Sequence, residues 1–148
     1  MNRQTPRTSS PRRPPLLRRQ RPLLTGLALL LPLAAAAADT TAADQLARWN
    51  AQAARPGQVQ EGRQFFQARH GRDWSCASCH GMPPTTQGRH ESTGKPIAAL
   101  APAFHPRGFT DSAKVDKWFR RNCNDVAGRE CSAQEKADVL AYLLSLKP

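Results

Sequence analysis

The run Cys76-Ala77-Ser78-Cys79-His80 constrains this chain more than any other stretch. Two thiols separated by two residues, followed at once by an imidazole, match one edge of a porphyrin. Each sulfur meets one of the two vinyl-derived carbons, and the adjacent ring turns under the iron. The spacing therefore predicts one covalently attached haem c, held by Cys76 and Cys79, with His80 as the proximal iron ligand. A thioredoxin-like redox pair needs a surrounding parallel βαβ pattern, and the sequence has none. A zinc site would need Cys123 and Cys131 as its second pair of ligands, but they stand too far apart for a zinc knuckle.

Charge is divided unevenly along the chain. The formal net charge is +11 and the pI about 10.8, values that invite a nucleic-acid or anionic-lipid partner. Yet seven of the 22 Lys and Arg lie in the first 21 residues, with no acid among them, and from Asp39 onward 15 bases face 11 acids. The basicity belongs to a leader. Residues 3–21 form a positive, Pro-rich stretch, residues 23–33 an apolar core interrupted by Pro32, and residues 34–38 a run of Ala suited to signal peptidase. The apolar run falls short of the roughly 20 residues that a membrane-spanning helix requires. A cleaved signal peptide over residues 1–38 is expected, with a retained anchor as the alternative, and the mature chain is expected to be periplasmic. Nucleic-acid binding has no support once the leader is removed.

Beyond Asp39 about 110 residues remain, little for a self-sufficient core. Leu46, Trp49 and Ala53 share a face, which predicts a helix over residues 42–54 within an N-terminal helix and linker (residues 39–56); Arg55-Pro56-Gly57 stops it. The cytochrome domain then spans residues 57–148. Val59, Gly62 and Phe66 predict a helix over residues 58–70, in which Gly62 costs helix propensity and so points to the close approach of another helix. Residues 81–95 read as irregular chain. Thr110 or Asp111 caps a helix expected to end near Asn122, with Val115, Trp118 and Phe119 as its apolar stripe. Ser132 and Glu135 form a capping box before Val139, Leu140, Leu143 and Leu144. An N-terminal and a C-terminal helix crossing beside a CxxCH loop describe a small, all-α, class I cytochrome c-like fold.

Cys123 and Cys131 bracket a polar segment, and in an oxidising compartment they are expected to form a disulfide. Asn122 stands beside it. The sixth iron position decides the function, and an electron carrier of high potential uses Met there. Apart from Met1 the chain has only Met82, two residues past His80 and unable to reach the opposite haem face. His90, His105, Asn122 or an open position remain. His90 sits in a polar loop, and His70 belongs to the edge of a helix.

The runs Thr93-Gly94-Lys95-Pro96-Ile97, Leu100-Ala101-Pro102, Phe109-Thr110-Asp111, residues 115–123 (VDKWFRRNC), Gly128-Arg129-Glu130-Cys131 and Gln134-Glu135-Lys136 resemble the sphaeroides haem protein family. With the CxxCH they cover nearly all of the mature domain. The resemblance implies a class I-like haem with His80 proximal, Asn122 as the distal ligand and a Cys123–Cys131 bridge. It also implies uptake of a diatomic ligand such as O2 or NO. The chain departs from the family pattern around His105 and Arg107-Gly108, which keeps His105 as the rival distal ligand.

Three functions follow from these alternatives. One is a redox protein, expected to be a monomer, that accepts an electron from a membrane or multihaem cytochrome and binds a diatomic ligand. Another is a plain electron shuttle with His105 as sixth ligand. The third is an enzyme acting on O2, peroxide or nitrogen oxides, although no catalytic residue is assigned. Lys95, Lys114, Lys117, Arg120 and Arg121 form either a docking rim for an acidic redox partner or a solvated face offset by Asp111, Asp116 and Asp125.

Overall fold

The computed structural model describes residues 40–148, so the expected leader over residues 1–38 lies outside the described residues. Five helices, α1 (Ala42–Asn50), α2 (Val59–Gln67), α3 (Cys76–His80), α4 (Ser112–Ala127) and α5 (Ala133–Ser145), surround one apolar core. The only sheet among the described residues is a ladder of two-residue strands, β1 (Gly88–Arg89) and β2 (Pro96–Ile97), paired antiparallel with Gly88 opposite Ile97. It interrupts the segment expected to be irregular and leaves the helical character of the fold unchanged.

α2 and α5 make the most extensive helix contact, followed by α1 and α5. Gly62 explains the first. A Cβ there would collide with the carbonyl of Asp138, so the backbones touch where any side chain would hold them apart. Gly57 meets the carbonyl of Ala137 in the same way. Asp138 then fastens the junction: its carboxylate is buried and accepts hydrogen bonds from the Gln58 amide (2.6 Å), the Gln134 side chain (3.0 Å) and Arg55 (3.3 Å). A buried carboxylate without such donors would be costly. Phe66, fully buried, extends from α2 onto the Tyr142 ring of α5, with centroids 5.6 Å apart.

The helix boundaries depart from expectation for identifiable reasons. α1 stops at Asn50, whose side chain accepts from the Gly57 amide at 2.8 Å and turns the chain back early. α2 stops at Gln67 because His70 folds back: its Nε2 lies 2.9 Å from the Phe65 carbonyl and its ring stacks on Phe65 at 4.1 Å. Val59, assigned to the buried stripe, is 40% exposed. α4 continues past Asn122 to Ala127, where Gly128 takes the left-handed conformation (φ 68°) of a helix C-cap. Trp118 is the larger correction, being 48% exposed where the stripe placed it in the core. The capping box of Ser132 and Glu135 is present as expected.

Gly62→Ala tests the crossing. Alanine improves helix propensity by up to about 1 kcal/mol, but its methyl meets fixed backbone rather than a side chain that can move. The haem-loaded variant is expected to lose more than about 2 kcal/mol net, seen as a fall in Tm of roughly 10 °C. An unchanged Tm would show that the α2–α5 contact is not close-packed.

Candidate haem site

α3 is a single capped turn that presents the CxxCH side chains together. The Ser75 side chain accepts from the Ser78 amide (3.2 Å) while the Ser78 side chain accepts from the Ser75 amide (3.0 Å), and Gly81 ends the turn at φ 75°. The two serines flanking Cys76 and Ala77 therefore fix the local geometry, while Cys76 and Ala77 pack on the core. β1 lies against the far side, where a Cβ on Gly88 would strike the Cys79 carbonyl. Sequence reasoning missed Gly88. Nothing separates it from a turn glycine until the chain is seen to pass over α3.

Cys76 and Cys79 are unpaired and half-buried. Burial pushes the Cys76 thiol up to about 11, so in the polypeptide it is a neutral thiol, unlike the low-pKa thiolate of a disulfide exchanger. His80 is shifted the other way, since burial lowers its pKa and keeps the imidazole neutral. Its Nδ1 is buried with no hydrogen-bond partner among the described residues. The Phe66 ring stands 6.4 Å from the His80 ring, centroid to centroid. Two unpaired thiols and a neutral imidazole on one short turn, backed by an apolar core, form a donor set that fits a c-type haem.

The remaining candidates are distributed as follows. Met82 Sδ accepts a hydrogen bond from the Tyr142 hydroxyl at 3.3 Å, which turns the sulfur towards α5. His70 is held on Phe65 at the edge of α2, and His90 lies in the turn between the strands with Nδ1 3.2 Å from the Ser92 hydroxyl. His105 is half-buried in a turn anchored by its amide to the Ala101 carbonyl, 3.1 Å. Asn122 is half-buried on α4, and its side-chain amide makes no hydrogen bond with another described residue. Cys123 and Cys131 are at disulfide distance, with Cα atoms 5.6 Å apart.

α4 is tied to α1 by side chains. The Arg48 guanidinium pairs with Asp116, the buried Gln45 side chain donates to Ser112 (2.8 Å), and Trp49 meets Phe119 edge to face at 6.2 Å. Around Cys131, Arg129 grips Glu135 with two hydrogen bonds of 2.8 and 2.6 Å. The Arg129 hydrogen bond holds the Glu135 carboxyl below its ordinary 4.5, against the opposing effect of burial. A carboxyl more acidic in the folded chain contributes stability that is fully present above about pH 4.5 and is lost as pH falls from there towards the folded value. Denaturation of wild type and Glu135→Gln across this range is expected to show a stability difference that shrinks with acidification. A gap independent of pH would contradict the role given to this pair.

Comparison with known proteins agrees with the fold and the donor set. A family model described as Domain of unknown function (DUF1924) matches residues 52–143. Cytochrome c-type protein SHP of Cereibacter sphaeroides is 46% identical over 121 residues, which cover 79% of this chain and 93% of that protein. Cytochrome c'' of Methylophilus methylotrophus is 41% identical over 91 residues, covering 59% of this chain and 63% of that one. Among solved structures, oxidised SHP, an oxygen-binding cytochrome c, superposes with a TM-score of 0.68 at 45% identity, covering 73% of this chain and 99% of that one. Oxidised cytochrome c'' superposes with a TM-score of 0.63 at 34% identity, covering 72% and 95%. With such identity over most of its length, the chain belongs to the sphaeroides haem protein family of c-type cytochromes, and its cofactor is haem.

Proposed function

We propose that this chain is an exported, periplasmic, monomeric monohaem cytochrome that accepts an electron and then binds a small diatomic molecule in place of Asn122. Cys76 and Cys79 would hold the haem by thioether bonds, and His80 would offer its neutral imidazole to the iron. When bound, the haem supplies an iron that changes oxidation state and takes up a diatomic molecule such as O2 or NO.

The observation that carries this reading is the Asn122 amide. It is half-buried, lacks a hydrogen-bond partner among the described residues, and sits on α4 directly before Cys123. An amide that is not tied to another residue is free to take an external partner. Its oxygen is a hard, neutral and weak donor, suited to ferric iron and poorly suited to ferrous iron. Asn122 would therefore close the oxidised site and release it on reduction. A Cys123–Cys131 bridge beside it limits how far the released side chain travels. The likeness to SHP, itself an oxygen-binding cytochrome c, supports the same reading. The expected signal peptide over residues 1–38 and attachment of haem outside the cytoplasm support the periplasmic location.

Asn122→Ala separates this reading from a shuttle ligated by His105. The variant is expected to have an altered ferric absorption spectrum, because the amide is gone, and a ferrous spectrum like that of wild type, because the amide had already left. Carbon monoxide association with the ferrous variant should stay within about threefold of wild type, a change below 1 kcal/mol. An unchanged ferric spectrum in Asn122→Ala, with a changed one in His105→Ala, would assign the sixth position to His105.

A further inference from the structure

We propose that Arg48 is a positioning residue for Asn122: from α1 it braces α4 and so sets how readily the Asn122 amide leaves the iron. The extensive helix contacts of the fold join α2 and α1 to α5, and α4 takes no part in them. Side chains matter more to its placement. Arg48 gathers several of them in one place. Both of its terminal nitrogens donate to Asp116, one at 3.0 Å, and Nη2 also donates to the Gln45 side-chain carbonyl. Gln45, fully buried, passes the connection on by donating to Ser112 at 2.8 Å. The Arg48 guanidinium carbon lies 4.0 Å from the centroid of the Trp49 ring, and that ring meets Phe119 edge to face. One side chain of α1 is therefore joined, directly or through a neighbour, to Ser112, Asp116 and Phe119 of α4.

The turn after Phe119 carries Asn122. Six residues at ~100° each place Asp116 about 120° round the helix from Asn122, so Arg48 grips a different side of α4 and reaches the amide only through the helix. That route has weight because the amide oxygen is a weak donor. A ligand held in its bound position by its support loses less freedom on binding, and the weaker the bond, the more its lifetime depends on that support. The ion pair of Arg48 and Asp116 is partly exposed, so removing one partner loosens the brace without leaving a buried, unpaired charge.

This inference rests on the proposed Asn122 ligation, and stopped-flow exchange with imidazole on the ferric holoprotein tests the two separately. Neutral imidazole takes the sixth position as the amide oxygen leaves it, with no electron transferred, so the plateau rate at saturating imidazole reports amide release. Arg48→Met and Asp116→Asn are each expected to raise that plateau about fivefold, and Arg48→Lys, which keeps the charge and part of the reach, to raise it less. The first two substitutions change the charge in opposite senses. A through-space effect on the iron would move them apart, whereas a lost brace moves them together. Carbon monoxide association with the ferrous variants, where the amide has already left, should stay within about twofold of wild type. In an Asn122→Ala background, Arg48→Met should add nothing. A wild-type plateau in Arg48→Met, opposite shifts in Arg48→Met and Asp116→Asn, or an Arg48→Met effect that persists in Asn122→Ala would overturn the role given to Arg48. Fast exchange in Asn122→Ala alone supports the ligation whatever Arg48 does, and a wild-type plateau there would remove the ligation and this inference with it.

Discussion

The backbone of α2 lies against the backbone of α5 at Gly62, and the position of the CxxCH turn follows from that contact. Close approach there brings Phe66 under Tyr142, and Phe66 in turn stands beside His80. Asp138 anchors the start of α2 to α5, while Cys76 and Ala77 rest on the same core. The proximal side is thus a rigid unit in which each element is positioned by the one before it. Rigidity suits the proximal role proposed for His80.

α4 is held by other means. Its links to α1 are one partly exposed ion pair, worth at most about 1 kcal/mol, one hydrogen bond from Gln45, and the edge-to-face pair of Trp49 and Phe119. Trp49 is itself stacked between Arg48, 4.0 Å from its centroid, and Lys136, 4.3 Å away. The segment before the haem motif therefore supports the helix that carries Asn122. On the proposed ligation, His80 would be positioned through a backbone crossing, and Asn122 by a helix joined to α1 mainly through side chains.

The parts of this arrangement legible in the sequence were those set by local chemistry. The Ser132–Glu135 capping box and the close approach signalled by a glycine within a helical pattern were found where expected, and the CxxCH residues share one short turn. Boundaries were harder because they depend on side chains that return from elsewhere: His70 closing on Phe65, and Asn50 capturing the Gly57 amide. The end of α4 was placed too early because Asn122, Asn124 and Asp125 look like loop residues, while the signal that mattered was Gly128. Periodicity assigned Trp118 to the core because an apolar residue at helical spacing is usually buried. Its exposure, and the diversion of Asp116 to Arg48, are tertiary facts that no local pattern contains.

On the proposed function, reduction opens the distal side. Resonance Raman spectroscopy of the dithionite-reduced, ligand-free wild-type protein tests it most directly, because the spin-state marker bands report how many ligands the iron keeps. The account predicts five-coordinate, high-spin ferrous haem bound by His80 alone. A six-coordinate, low-spin ferrous spectrum would contradict it.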